Sequence, residues 1–285
     1  MAEPMSLKQM SVDGVEIAYL DRGDGPAVII AHCSSASHKE WLQFINDLGP
    51  DWRVLAPDFI GYGRSGAWPE GKAFTGEADL AVLLALAGMT EKKVHLVGHS
   101  YGAAMALEAA RVLGDKVQSL ALVEPVSFNL LRVEGRPEWA EIEKLGRSVL
   151  SAVSKGKDRE AAGSFMRYWF GRFRWWLSPE EYKAAITATI RKVALEFGIA
   201  TESNTRLADY AAVKAPTLLI VGSKTRAPAR ALVDMLGATL PNATVTVLND
   251  AGHMSPFTHP SAVNRMIAGH LAAQHQQAPA VPQEA

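Results

Sequence analysis

Two residues stand out for the chemistry they could do together. One is Ser100, in Gly98-His99-Ser100-Tyr101-Gly102; the other is His253, in Asn249-Asp250-Ala251-Gly252-His253-Met254. A serine hydroxyl attacks carbonyl carbon poorly at neutral pH. An imidazole that takes its proton makes it a nucleophile, and a carboxylate fixes which imidazole nitrogen carries hydrogen. The flanks of Ser100 give the pentapeptide its meaning: the apolar run Val94 to Val97 leads straight in, and an Ala-rich helical stretch, Ala103 to Val112, leads out. A serine on so sharp a strand-to-helix turn is held in a strained conformation with its hydroxyl pushed out at the end of a sheet. Gly98 and Gly102 let the two elements pass closely, and the Tyr101 amide, at the positive helix end, points where an oxyanion would form. The plainer alternative is a glycine-rich turn whose serine caps the helix.

Eight histidines are available as the base. His253 follows the last strand-like run, at the strand ends where reacting groups of a doubly wound sheet gather. His95 lies inside a strand and reads as a core residue. His270 and His275 read as solvated, and His259, before Pro260, as structural.

Stepping outward, alternating Lys8 to Val12 and Val15 to Asp21 flank Asp13-Gly14, a two-residue hairpin signal. Continuous apolar runs follow at Ala27 to Ala31, Arg53 to Pro57, Val94 to Val97 and Val117 to Val123, as for strands buried on both faces. Helical patterns at Trp41 to Leu48, Thr75 to Ala87 and Ala103 to Val112 alternate with them. The alternation stops from Val126 to about Arg206, where only helical patterns occur: Trp139 to Ser154, Arg159 to Trp169 and Pro179 to Phe197. It resumes with the strand Thr217 to Val221, the helix Ala229 to Leu240, the strand Thr244 to Leu248 and a helix from Pro260 to about Ala272. Such an order predicts a mostly parallel sheet with helices on both faces.

At 285 residues and 48% hydrophobic content, one large core with an insertion is more natural than two domains. The net charge of −1 gives no field to recruit nucleic acid or an anionic membrane. The single cysteine, Cys33, excludes an internal disulfide and suits a reducing compartment. Met1 to Met10 holds no apolar core of signal-peptide length, and no later run is long enough to span a bilayer. A cytoplasmic protein with a small-molecule substrate is therefore expected, with neither nucleic-acid binding nor membrane insertion; oligomeric state is left open. No H-E-x-x-H, paired Cys/His spacing or dinucleotide fingerprint occurs, so no metal or cofactor is expected.

The chain resembles the α/β-hydrolase superfamily from Lys8 to Leu271. Ala31-His32-Cys33-Ser34 stands where that family has an apolar-His-Gly turn, and Ala56-Pro57-Asp58-Phe59-Ile60-Gly61-Tyr62-Gly63-Arg64-Ser65 resembles its characteristic loop after the strand at Arg53 to Pro57. The Ser100 turn and Ala251-Gly252-His253 complete the set. The resemblance implies an eight-stranded, mostly parallel sheet, with a core made of residues 1–125 and 207–272; the all-helical stretch at 126–206 reads from its pattern as a cap, and the polar, Pro/Ala-rich end at 273–285 from its composition as a disordered tail. It implies Ser100 as nucleophile and His253 as base, with the second oxyanion amide on Ser34, beside a cysteine where the family has glycine. No carboxylate lies between Val221 and Asp234, where family members often carry the acid. Some members, haloalkane dehalogenases among them, place it after the preceding strand, which here is Glu124. Asp250 is the rival. Because the turn carries serine and not aspartate, the resemblance implies an acyl-enzyme route and argues against dehalogenase or epoxide-hydrolase chemistry.

Four of the seven tryptophans, Trp139, Trp169, Trp175 and Trp176, fall within the helical segment. They either roof an apolar pocket or pack the segment onto the sheet. Candidate pocket residues are Cys33, His99, Phe128 and Trp169. The expected activity is cleavage of a small or medium carboxylic ester, lactone or thioester; carbon–carbon hydrolysis of a diketone by the same residues, and non-catalytic ligand binding on this fold, stand as alternatives.

Overall fold

The computed structural model describes residues 6–276. Strands β1 (Leu7–Val12) and β2 (Val15–Arg22) form a hairpin whose register closes on Val12 opposite Val15. Asp13 and Gly14 both take positive φ, 50° and 83°, as the primed turn of such a hairpin requires. Then come β3 (Ala27–Ala31), α1 (Leu42–Leu48), β4 (Arg53–Pro57), α2 (Gly76–Ala87), β5 (Val94–His99), α3 (Tyr101–Leu113) and β6 (Val117–Val123). Five helices follow: α4 (Asn129–Val133), α5 (Trp139–Ser154), α6 (Asp158–Phe170), α7 (Arg172–Leu177) and α8 (Glu180–Glu202). The chain returns to the sheet as β7 (Thr217–Gly222), α9 (Ala227–Thr239) and β8 (Ala243–Leu248), and ends in α10 (Ser255–Thr258) and α11 (Pro260–Gln276).

The eight strands lie in the order β1-β2-β4-β3-β5-β6-β7-β8, with β2 antiparallel to both its neighbours and every later pairing parallel. This is the α/β-hydrolase fold. Strand period divides the core in two. Ile29, Leu55, Leu96, Leu122 and Leu219 face one way, against α2, α3, α9 and the inserted helices. Val28, Ile30, Val54, Val97 and Ile220 face the other, against Phe44 and Ile45 of α1 and Val263, Ile267 and Leu271 of α11. Each such aliphatic side chain, wholly removed from water, contributes about 1.5–3 kcal/mol, so the run Val28-Ile29-Ile30 binds both layers to one strand.

Several boundaries differ from the sequence reading. Helix α8 continues past Phe197 to Glu202. Gly198 breaks the propensity pattern there, but Ile199 packs on Gly76, and tertiary contact outweighs the roughly 1 kcal/mol cost of a helical glycine. Helices α4 and α7 have too few turns to show a period. Helix α11 runs to Gln276, so residues 273–276 are helical rather than tail; the rest of the expected tail lies outside the described residues. His270 is half-buried against backbone carbonyls of Pro216 and Leu120, not solvated, because its face of α11 packs on the sheet. His95 is a core residue whose Nδ1 meets the Ser119 hydroxyl at 2.8 Å.

Candidate active site

The turn at Ser100 has the strain its sequence implies. Ser100 sits at φ 55°, ψ −117°, a region that β-carbon sterics make rare. Its amide donates to the Val123 carbonyl at 2.9 Å, and helix α3 begins at the next residue. The flanking glycines are required: a Cβ on Gly98 would lie 2.5 Å from the Gly102 carbonyl oxygen, and one on Gly102 2.4 Å from those of Ala31 and His32.

This geometry aims Ser100 Oγ at His253 Nε2, 2.9 Å away, while His253 Nδ1 lies 2.8 Å from Glu124 Oε2. Glu124 is the residue after β6 and has a positive φ of 43°, which turns its carboxylate under the loop after β8. That carboxylate is fully buried and satisfied: the Gly222 amide donates to Oε1 at 2.8 Å, and the Thr225 hydroxyl to Oε2 at 2.5 Å. Burial alone would raise the Glu124 pKa; His253, Thr225 and Gly222 together hold it below its ordinary value. For His253 burial dominates and takes the imidazole below its usual range, against the upward pull of Glu124. Asp250, the rival carboxylate, is exposed, pairs with Lys224 at 3.0 Å and shapes its turn with a φ of 60°.

The other expected residues divide. Ser34 and Tyr101 border Ser100, and among the described residues no protein acceptor takes either amide. Two cavities meet at Ser100, Ser34, Phe165 and Trp169, one of about 440 Å³ and one of about 300 Å³. Phe128 lines the larger; Cys33, His253 and Phe257 line the smaller. Trp169 of α6 stacks on the His253 ring at 3.8 Å and 26°, with Phe128 stacked beyond it at 6.2 Å. The inserted helices thus cover the histidine. They are anchored by Arg226, which donates to the Tyr168 carbonyl at 2.8 Å and pairs with Glu141 at 3.0 Å.

His99 lines neither cavity, contrary to expectation. Its ring is buried behind the site, with Nδ1 2.6 Å from Glu40 Oε1 and Nε2 2.8 Å from the His253 carbonyl. A carbonyl can only accept, so Nε2 carries hydrogen; facing an ionised Glu40, Nδ1 carries one too, making His99 an imidazolium. Burial opposes this charge, but Glu40 raises the His99 pKa above its ordinary value. Glu40 Oε2 also accepts the Cys33 amide at 2.8 Å, fixing the turn after β3. Burial and Glu40 push the Cys33 thiol well above its ordinary pKa, which disfavours the thiolate. Cys33, Glu40 and His99 bring potential ligand atoms within 4.8 Å of one another. Both Glu40 oxygens and both His99 nitrogens are already in hydrogen bonds, so a cation there would have to break them.

A second buried network was not foreseen. Lys192 Nζ lies 2.7 Å from Asp79 Oδ2 and 2.9 Å from Glu196 Oε1. Tyr101 donates its hydroxyl to Asp79 Oδ2 at 2.8 Å, Tyr62 to Glu196 Oε1 at 2.7 Å, and Ser34 to Glu196 Oε2 at 2.5 Å. Burial would lower the Lys192 pKa, but the two carboxylates raise it above its ordinary value. In sequence, Lys192 and Glu196 read as an ordinary i,i+4 surface pair and Asp79 as a first-turn acid on its helix, so no local signal marks them.

With this geometry, comparison with known proteins defines the class. Residues 28–266 match the alpha/beta hydrolase family, and the chain belongs to it; it is an enzyme, a hydrolase. A 2-hydroxy-6-oxo-6-phenylhexa-2,4-dienoate hydrolase of Burkholderia cepacia is 26% identical over 94% of this chain and 95% of its own length. A haloalkane dehalogenase of Sphingobium indicum is 27% identical over 156 residues, a match that spans 53% of this chain and 50% of the dehalogenase. Among solved structures, a thermophilic esterase from Thermogutta terrifontis, with malate bound, superposes with a TM-score of 0.73 at 26% identity, covering 95% of this chain and 99% of that one. Among the described residues no helix is long and apolar enough to cross a membrane.

Proposed function

We propose that this chain is a serine hydrolase that cleaves small or medium carboxylic esters through an acyl-enzyme. The observation that carries the reading is the unbroken series Ser100 Oγ, His253 Nε2, His253 Nδ1, Glu124 Oε2, with links of 2.9 Å and 2.8 Å in a buried site. His253 Nε2 takes the Ser100 proton as Oγ attacks the ester carbonyl. The imidazolium that forms is held by Glu124, and the Tyr101 and Ser34 amides receive the developing oxyanion. His253 then protonates the departing alcohol, and water, deprotonated by the same imidazole, releases the acid. The leaving group is protonated from His253, so it occupies the smaller cavity, which His253 lines, and the acyl group the larger. Residues 126–206 act as the cap over both.

Carbon–carbon hydrolysis is the second reading, favoured by the near full-length likeness to the Burkholderia cepacia enzyme. That enzyme's substrate is a carboxylate, whereas the larger cavity here is lined by four glutamates, Glu77, Glu108, Glu196 and Glu202, against one cation, Arg111. A neutral ester meets no such repulsion.

Turnover of p-nitrophenyl esters of graded chain length, alongside a vinylogous diketone acid, separates the two. Ser100→Ala is expected to lower ester turnover by about 10³-fold or more and to abolish fluorophosphonate labelling. Turnover that survives this substitution removes Ser100 from the mechanism.

A further inference from the structure

The two residues whose amides face the oxyanion are also joined through their side chains. From Ser34 Oγ the path runs to Glu196, then Lys192, then Asp79, then the Tyr101 hydroxyl, in steps of 2.5, 2.9, 2.7 and 2.8 Å. Asp79 belongs to α2 under the sheet, while Lys192 and Glu196 belong to α8 of the insertion. The same helix holds the next residue of the turn: the Thr189 hydroxyl donates to Ser35 Oγ at 2.9 Å, and Ser35 has a positive φ of 58°.

We propose that Glu196 and Lys192 are positioning residues that set the separation of the Ser34 and Tyr101 amides, so that the inserted helix α8 completes the oxyanion site. This rests on the serine-hydrolase reading above. Tyr101 is fixed by the start of α3, but Ser34 lies on a turn outside any strand ladder. Oxyanion donors must sit within a few tenths of an ångström of their working positions, and loop-borne groups reach that precision only when their side chains are locked. The hydrogen bond that the Cys33 amide donates to Glu40 locks the turn from one side, and the Glu196 link locks it from the other. The charge of the network argues for position and not for field. One ammonium faces two carboxylates, and an excess of negative charge opposes an oxyanion. What Glu196 supplies is an acceptor at a fixed place.

The test compares Ser34→Ala, Glu196→Ala and Glu196→Gln, each with its Tm and its fluorophosphonate labelling. Ser34→Ala keeps the amide but cuts the anchor, and is expected to lower kcat about tenfold with KM changed less than about twofold. Glu196→Ala should lose about 10- to 100-fold in kcat, with a parallel loss of affinity for a trifluoromethyl ketone, which forms the tetrahedral adduct. The Ser34→Ala/Glu196→Ala double variant should lose no more than Glu196→Ala alone, because both cut one link. Glu196→Gln keeps the link, its oxygen accepting from Lys192 and Tyr62 and its NH₂ donating to Ser34 Oγ, and should lose at least about fivefold less than Glu196→Ala. Wild-type protein that fails to label at Ser100 overturns both this inference and the reading beneath it. Normal labelling with Glu196→Ala at wild-type kcat, or with Glu196→Gln as poor as Glu196→Ala, overturns this inference alone.

Discussion

Substituting Glu124 by glutamine isolates the role of the carboxylate, because the structure dictates what the amide must do. Glu124 accepts from three donors: the Gly222 amide at Oε1, and the Thr225 hydroxyl and His253 Nδ1 at Oε2. Glutamine has one acceptor oxygen. If that oxygen takes the Gly222 amide, its NH₂ faces His253 Nδ1 and stabilises the tautomer with hydrogen on Nε2. That nitrogen then points a proton at Ser100 and cannot receive one. If the oxygen stays with His253, the NH₂ opposes the Gly222 amide, leaving a buried donor unpaired at about 1–3 kcal/mol. The first arrangement wins, and the wrong tautomer costs about 10³- to 10⁴-fold in kcat, or about 4–5.5 kcal/mol of transition-state stabilisation. Asp250→Asn, at an exposed residue paired with Lys224, should change kcat less than about twofold. The assay is steady-state hydrolysis of p-nitrophenyl butyrate, normalised to the fraction of Ser100 that a fluorophosphonate titrates. A Glu124→Gln enzyme with more than a tenth of the wild-type kcat, or an Asp250→Asn enzyme reduced a hundredfold, refutes the reasoning.

The pH profile follows from His253. Burial sets its pKa below 6.5, and the base works only when neutral, so the acid limb of kcat/KM should have its midpoint below pH 6.5. A midpoint above 7 contradicts the assignment of the base. Lys192→Met removes the ammonium that the buried Asp79 and Glu196 side chains share, and should lower unfolding stability by about 3–5 kcal/mol, read from a urea titration. An unchanged midpoint there means that the network is open to water.

What was legible in the chain follows the range of the interactions involved. The Ser100 turn, the Asp13-Gly14 hairpin and the apolar strands are set by neighbours in sequence, so their residue types mark them directly. The sequence leaves two carboxylates open, Glu124 and Asp250; the first lies buried against the histidine and the second in solvent. The Asp79–Lys192–Glu196 network was invisible because its members are 113 and 4 residues apart along the chain and look like surface charges on their own helices. His99 misled for a related reason. It adjoins Ser100 in sequence, yet strand alternation turns its ring to Glu40, behind the reacting groups.

The buried ammonium of α8 also limits how this scaffold can be recombined. A chimaera that exchanged residues 126–206 for helices lacking a lysine and a carboxylate at these places would leave Asp79 without its ammonium partner, and the Ser34 hydroxyl without its acceptor. Transplantation is therefore expected to succeed only when Asp79, Tyr62 and Ser34 travel with the donor segment. The inserted helices of this protein are a fitted part and not an interchangeable one.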